Sequence, residues 1–328
     1  VDPLRIQPSC FVGGTTPELV LNSGFNGADW NDPSVVRVGN QYWMYASSNL
    51  GFAGPPSPVQ IYRWVSSDGT TWALNPSSPV LTEGALGAWD HGGAETPAVV
   101  FFNGAWHSFY TGYPDAWPTN SPFNFRIGHA VSNDGVTWIK DATYVAGPSE
   151  PAATFYQYIV AEPGPAVMDN TLYLYFSAVG VDVELAAGLQ VVGVITTTDG
   201  ASWTQPALAM KPDQTVYPRT SNWVGYSTPN ATVIAGRMHL FVDVANDHGD
   251  NTWTQEAIHH ASSPDGLTGW LQDPAPLRRK ADFIWTQREL RSPAVLLDGT
   301  LLRLYFAGDD VLANGLWGIG QMTCSLVP

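Results

Sequence analysis

The sequence predicts an all-β protein: a five-bladed β-propeller of four-stranded antiparallel blades, one domain over residues 1–328, with its ring closed by the two chain ends. Three observations carry this expectation. An Asp-Gly hairpin ending in tryptophan recurs four times. A strand–turn–strand segment recurs five times at the same interval. No stretch has the apolar periodicity of a useful amphipathic helix.

The hairpins are "VSSDGTTW", ending at Trp72, "AVSNDGVTW" at Trp138, "TTTDGASW" at Trp203 and "ASSPDGLTGW" at Trp270. Their aspartates, Asp68, Asp134, Asp199 and Asp265, stand 66, 65 and 66 residues apart. Glycine takes a positive φ without steric cost, and aspartate bonds its own backbone, so Asp-Gly supplies the turn. The tryptophan beyond it starts the next strand and is expected to cap the packing between neighbouring sheets.

The second repeat comprises "DPSVVRVGNQYWMYAS" from Asp32, "ETPAVVFFNGAWHSFYTG" from Glu95, "EPGPAVMDNTLYLYFSA" from Glu162, "STPNATVIAGRMHLFVDV" from Ser227 and "SPAVLLDGTLLRLYFAG" from Ser292. Each reads as strand, short polar turn and strand, with β-branched and aromatic residues at period two. These segments open the units and are the candidate inner strands. The fifth unit has no Asp-Gly hairpin and ends in "LWGIGQMTCSLVP", so the other terminus is expected to complete its blade. Cys10 and Cys324 stand near opposite ends of the chain. A disulfide between them requires the ends to meet, and it would close a loop of about 300 residues. Two free thiols in a cytosolic protein are the alternative.

The net charge of −15, with only 14 basic residues, argues against nucleic-acid and anionic-membrane partners. No apolar run approaches the ~18 residues of a membrane span. Val1 opens the sequence without a basic and apolar leader, so any secretory signal is expected to have been removed. With the sequon Asn230-Ala231-Thr232, this gives the expectation of an extracellular, monomeric protein. Zinc spacing, a phosphate-binding glycine loop and a Gly-x-Ser-x-Gly elbow are all absent, so no cofactor is expected. The oxygen-rich "DVANDHGDN", Asp243 to Asn251, could hold a structural Ca²⁺, although its spacing is not that of an EF-hand loop.

Asp32, Glu95 and Glu162 head three consecutive units. They are expected at nearly one place in each, converging on one funnel, with Ser227 and Ser292 at the equivalent place in the last two. Crowded carboxyls beside a low-dielectric wall repel, and at least one must gain affinity for its proton. Folding gains nothing from that, so the set reads as functional.

"NDPSVVRVGNQYWMYAS", the heads "AETPAVV" and "AEPGPAVM", and the repeated hairpins resemble the five-bladed propeller glycoside hydrolases. Family 43 is nearest (arabinanases, arabinofuranosidases and xylosidases), with the fructan and sucrose hydrolases of family 32 as relatives. The resemblance spans essentially the whole sequence in architecture, but its motifs are short. It implies that Asp32, in its "DP" segment, is the general base or nucleophile. It implies further that an Asp and a Glu in the third and fourth blades tune and donate the proton. This sequence departs there. Its third unit has Glu162, its fourth has Ser227-Thr228-Pro229 in place of an acid, and its second carries an extra Glu95. A divergent member of the group would show such a pattern.

The expected function is therefore a secreted glycosidase that cleaves furanosidic or xylosidic bonds of plant-type polysaccharide or oligosaccharide with two carboxyls. Asp32 is the expected base. Glu162 is the expected acid, because "EPGPAV" resembles the acid-bearing "EGP" head, and Glu95 is the modulator or substitute acid. Carboxyls about 6.5–9.5 Å apart would invert and about 5 Å apart would retain; the resemblance favours inversion. Arg291 could hold sugar hydroxyls, with a salt bridge to Glu289 as the structural alternative. Trp30, Trp89 and Trp223 precede inner strands and could stack on sugar rings or simply pack the core. His91 and His248, in "WDHGGAE" and "NDHGD", are candidate contacts at the mouth. A lectin-like propeller without hydrolysis is the alternative function, and a protein-interaction platform is a third.

Overall fold

The computed structural model describes residues 5–15, 28–50, 57–116, 119–149, 154–182, 187–248, 253–310 and 316–326. Strands dominate, and four one-turn 3₁₀ segments are the only helical pieces among the described residues. After a short strand β1 (Val12–Gly13), the fold repeats one plan five times. Unit one is β2 (Asn31–Val38), β3 (Gln41–Ser48), β4 (Gln60–Ser66) and β5 (Ala73–Leu74). Unit two is β6 (Gly93–Phe102), β7 (Ala105–Tyr113), β8 (Arg126–Ser132) and β9 (Ile139–Lys140). Unit three is β10 (Ile159–Met168), β11 (Thr171–Asp182), β12 (Ala187–Thr197) and β13 (Ala207–Met210). Unit four is β14 (Trp223–Ile234), β15 (Arg237–Asp247), β16 (Trp253–Ser263) and the short β17 (Leu271–Gln272) and β18 (Arg278–Arg279). Unit five is β19 (Leu290–Asp298), β20 (Leu301–Asp310) and β21 (Leu316–Ser325).

Within each unit the successive long strands pair antiparallel. Units one and two are separate four-stranded sheets. Units three and four join through a single parallel bridge, Gln190 to Gly225. In the fifth sheet the order is β1-β21-β20-β19, so the N-terminal strand supplies the missing outer strand. Cys10 and Cys324 form a disulfide beside that pairing, with their Cα atoms 5.0 Å apart. The all-β expectation and the blade-like four-stranded sheets are thus present.

The first strands of successive units contact each other in order: β2 with β6, β6 with β10, β10 with β14, β14 with β19, and β19 with β2. The hairpin repeat explains how the units pack. In each hairpin the aspartate Oδ1 accepts two amides just beyond the turn, as Asp68 does from Thr70 and Thr71 at 2.7 Å. Gly69, Gly135, Gly200 and Gly266 all adopt φ between 70° and 80°. The following tryptophan lies edge-on against the preceding unit: Trp138 on Tyr45, Trp203 on Phe109, Trp270 on Tyr175, and Trp72 on Tyr305 of unit five. Tyr45, Tyr175 and Tyr305 also donate hydrogen bonds to the turn carbonyls of Gly135, Gly266 and Gly69. Each hairpin therefore ties one sheet to the one before it.

Candidate active site

The first strand of every unit carries the same irregularity. The ladder to the second strand shifts between Asn31 and Ser34, Glu95 and Ala98, Ala161 and Gly164, Ser227 and Asn230, and Arg291 and Ala294. Each bulge contains a residue followed by proline. Those five residues, Asp32, Thr96, Glu162, Thr228 and Ser292, all have positive φ, between 44° and 56°. L-residues seldom take that conformation, and it persists only where the surroundings hold it. The bulge turns these side chains and their predecessors towards one end of the inner strands.

The amide of the bulge residue is satisfied across the seam between units. Thr96 donates to Ser47 Oγ at 2.8 Å, Glu162 to Thr111 Oγ1 at 2.8 Å, Thr228 to Ser177 Oγ at 2.9 Å, and Ser292 to Asp243 Oδ2 at 2.9 Å. At the fifth seam the corresponding residue is Ala307, which has no side-chain acceptor, and the amide of Asp32 turns to Asn31 Oδ1 at 2.9 Å.

This register corrects the alignment expected from the sequence. Asp32 and Glu162 are equivalent bulge residues, and so is Ser292. Glu95 and Ser227 stand one residue earlier, paired with Thr111 and Asp243. The expectation lines up the acids, whereas the backbone lines up the prolines.

The bulges open on a cavity of about 440 Å³. Asp32, Glu95, Glu162 and Arg291 all line it, together with Asp29, Asn31, Tyr113, Thr228, Ser292 and Trp317. Asp32 accepts a hydrogen bond from Ser292 Oγ at 2.7 Å. Glu95 accepts one from the Tyr113 hydroxyl at 3.2 Å. Burial, reinforced by the charge of Asp32, pushes Glu95 up to about 8. Glu162 Oε2 accepts from Ser177 Oγ at 2.5 Å and from the Thr228 amide at 3.0 Å. Burial and then the charge of Asp243 push Glu162 up to about 7, against the pull of those two donors.

Arg291 is the one cation lining the cavity among the described residues. Its Nε donates to Asn31 Oδ1 at 3.4 Å, its guanidinium lies 4.0 Å from the Trp317 ring centroid, and Nη1 is 3.8 Å from Glu289. Burial opposes its charge, but Asp32, Glu289, Asp243 and Glu162 together outweigh burial and hold it above its ordinary value. The arginine therefore lines the cavity and also approaches Glu289, the partner expected under its structural alternative.

The other candidate contacts lie elsewhere. Trp30 is fully buried, edge-on to Tyr62 and Trp64, and has no face left for a sugar; it is core. Trp89 stacks on Tyr110, and Trp223 packs on Tyr217; neither lines the cavity. His91 bonds the Gly84 carbonyl at 3.3 Å, and exposed His248 bonds Thr254 at 2.8 Å, also outside the cavity lining. Residues 249–251 of the candidate Ca²⁺ segment lie outside the described residues. Its first member, Asp243, is fully buried and bonded to Ser227 and Ser292.

Four residues that shape the site are not among the sequence candidates for it. Asp29 and Trp317 are bonded to each other, the Trp317 amide donating to Asp29 Oδ1 at 2.9 Å. Burial raises the Asp29 carboxyl. Neither residue belongs to the repeated segments, so no spacing marks them. Tyr113 ends β7. Asp243 does carry a signal: it is a lone acid inside the apolar run "HLFVDVA".

The sequence matches no protein-family model and no curated protein. The fold, however, is similar to those of several glycoside hydrolases. A family 117 glycoside hydrolase, Zg3597 of the marine bacterium Zobellia galactanivorans, superposes with a TM-score of 0.66 at 14% identity, over 99% of this chain and 92% of that one. The catalytic domain of a Coprinopsis cinerea GH62 α-L-arabinofuranosidase gives 0.65 at 15% identity, over 97% and 98%. A thermostable family-43 glycoside hydrolase gives 0.63 at 14% identity, over 92% and 94%. The architecture is shared with several such families at low identity.

Proposed function

We propose that this protein is a secreted glycoside hydrolase built as a closed five-bladed propeller, using a pair of carboxyls to cleave furanosidic or xylosidic bonds of plant-type polysaccharide or oligosaccharide. The cyclic order of inner-strand contacts and the Trp72–Tyr305 packing support closure of the ring. The disulfide supports an oxidising compartment. The fold shared with the GH62 arabinofuranosidase and the family-43 hydrolase supports the substrate class.

The observation that carries the reading is the convergence of Asp32, Glu95 and Glu162, from three units, on one cavity in which the two glutamates retain protons near neutral pH. Glycoside hydrolysis needs one carboxyl that gives up a proton and one that activates water or attacks. Glu162 fits the donor. A group that titrates near the working pH exchanges its proton most effectively, and its value is about 7. Both of its hydrogen-bond donors engage Oε2, which leaves Oε1 to carry the proton. Asp32, fixed by Ser292 Oγ, acts as base on a water at the anomeric carbon, and the reaction inverts. Glu95, higher at about 8, stays protonated and limits the repulsion around Asp32. Arg291 balances the charge and holds substrate hydroxyls.

Asp32→Asn and Glu162→Gln test this directly. Each should lower turnover on the cleaved member of an aryl-furanoside and xyloside panel by about 10³-fold or more, with sugar binding retained. Unchanged turnover in both variants would take the two carboxyls out of catalysis, and sugar binding without turnover in the wild type would leave a lectin.

A further inference from the structure

Two seams share a main-chain bond, and at one of them it is accompanied by an acid. The residue two before the bulge residue donates its amide to the start of the third strand of the preceding unit. Ala94 donates to the Val59 carbonyl at 2.9 Å, and Trp30 donates to the Trp317 carbonyl at 3.2 Å. One residue further back, units two and four have Gly93 and Gly225, so the crossing needs no side chain. Unit three has Ile159 there, and Glu289 of unit five is outside the cavity lining. At the seam between units five and one the same place holds Asp29, which lines the cavity.

Asp29 is tied down but keeps bonding capacity. Its Oδ1 accepts the Trp317 amide at 2.9 Å, while Oδ2 makes no hydrogen bond among the described residues. Arg291 is held in a comparable way. Its guanidinium lies 4.0 Å from the Trp317 ring centroid, and Nε donates to Asn31 Oδ1 at 3.4 Å. Its other two nitrogens make no hydrogen bond among the described residues, and its ion pair is with Glu289 rather than Asp29. Burial raises the Asp29 carboxyl; the Trp317 amide and then the Arg291 charge draw it back. One tryptophan thus braces an acid through its main chain and a guanidinium through its ring, and all three line the cavity. Polar groups fixed in a cavity but left unbonded are suited to orienting a ligand.

We propose that Asp29 and Arg291 form an edge that reads two adjacent hydroxyls of the sugar ring in the cavity, one bonded to Asp29 Oδ2 and the next accepting from the Arg291 guanidinium. Asp29 is then a specificity-determining residue, and the substrates are glycosides whose cleaved ring keeps that pair of hydroxyls free. The proposal rests on the hydrolase reading, with Asp32 and Glu162 as the reacting groups. It does not depend on the charge of Asp29, because a hydroxyl donates to an ionised carboxyl and accepts from a protonated one.

Aryl glycosides in which each ring hydroxyl is replaced in turn by hydrogen test the edge, with kcat/KM measured on the wild type, Asp29→Asn and Asp29→Gly. In the wild type, loss of the hydroxyl on Asp29 should cost about 10²-fold, since it leaves a cavity group unbonded. Asp29→Gly, which gives this seam the residue of units two and four, should cost a similar factor, and the same deoxy substrate should then lose little more. Asp29→Asn keeps an oxygen for the Trp317 amide and a polar group for the hydroxyl, so it should recover part of the rate with a smaller deoxy penalty than the wild type. Deoxy penalties as large in Asp29→Gly as in the wild type, at every hydroxyl, would overturn the proposal and leave Asp29 a seam residue. If Asp29→Gly does not melt cooperatively, the penalty in Asp29→Asn decides by the same comparison. If the wild type binds the glycosides without turnover, the hydrolase reading fails, and calorimetric affinities for the same deoxy series decide the edge by the same rule.

Discussion

The same five inner strands end in two different chemistries. Their first residues line the cavity that holds Asp29, Asp32, Glu95, Glu162 and Arg291. Their later residues line a second cavity of about 310 Å³, bordered by Val36, Val100, Val167, Val233 and Leu296, where Arg37 is the one charged lining residue among those described. What separates the two ends is the bulge at the X-Pro step. Beyond it the ladder is regular and β-branched residues fill the positions, as strand packing favours. Before it the backbone bends, side chains leave the pleat, and polar groups gather where they can be bonded across seams. The polar end is held at the cost of five strained residues and several crowded carboxyls; the apolar end is half-buried and packs against the core clusters of the sheets.

The sharpest way to break this contrast is to remove the one cation of the polar end. Arg291→Met leaves Asp32, Glu162, Asp243 and Glu289 without their shared counter-charge. Turnover should be lost, and stability at pH 8 should fall by about 3–5 kcal/mol, as when one partner of a buried ion pair is removed. The loss should shrink towards pH 5, because carboxyls whose folded values rise further above the unfolded ones stabilise on the acid side. Chemical unfolding at the two pH values measures this; an equal loss at both would show that Arg291 acts by packing alone.

Much of this organisation is legible in residue spacing, because repeated turns impose a period. The four Asp-Gly hairpins, the five strand pairs and the pairing of Cys10 with Cys324 follow from chemistry that is local or countable. Side-chain direction is neither. Trp30 and Trp317 are both tryptophans near an inner strand, yet one is core and the other lines the cavity. Only the pleat and the seam decide which. Glu95 falls one residue out of the expected register for a similar reason. Charge is conspicuous in a sequence, while the backbone aligns Asp32, Thr96, Glu162, Thr228 and Ser292, each before a proline. Asp243 carries a signal in its apolar surroundings, but its meaning depends on knowing that Ser47, Thr111 and Ser177 occupy the same seam position.

An intermediate effect comes from Glu95. Its folded value of about 8 lies above the ordinary 4.5, so it supports folding most at low pH, and that support is lost as pH rises through about 8. Wild-type stability should therefore decline between pH 5 and pH 8. Glu95→Gln keeps an acceptor for the Tyr113 hydroxyl and removes the titration. The variant should gain roughly 2 kcal/mol over the wild type at pH 8 and little at pH 5, after allowance for screening at the cavity mouth. Thermal melts across that range would show the two curves diverging with pH. Parallel curves would mean that Glu95 is already solvated, and that the polar end carries less strain than its crowded carboxyls imply.

The smallest effect belongs to the apolar end. Asn230, the asparagine of the Asn-Ala-Thr sequon, uses its Oδ1 to accept the Val295 amide at 2.9 Å across the seam from unit four to unit five. Ser34 performs the same task for Val99 between units one and two. Asn230→Ala should leave the Val295 amide without that acceptor and cost about 1–2 kcal/mol. Asn230→Ser should recover most of this, since a serine already serves at the equivalent place. Both variants should keep the turnover of the parent, because the bulge stands between this bond and the carboxyls. Urea unfolding alongside rate measurements separates the two quantities. A rate that fell with Asn230→Ala would show that strain at one end of the strand reaches the other, and the bulge would no longer be the boundary between structure and chemistry.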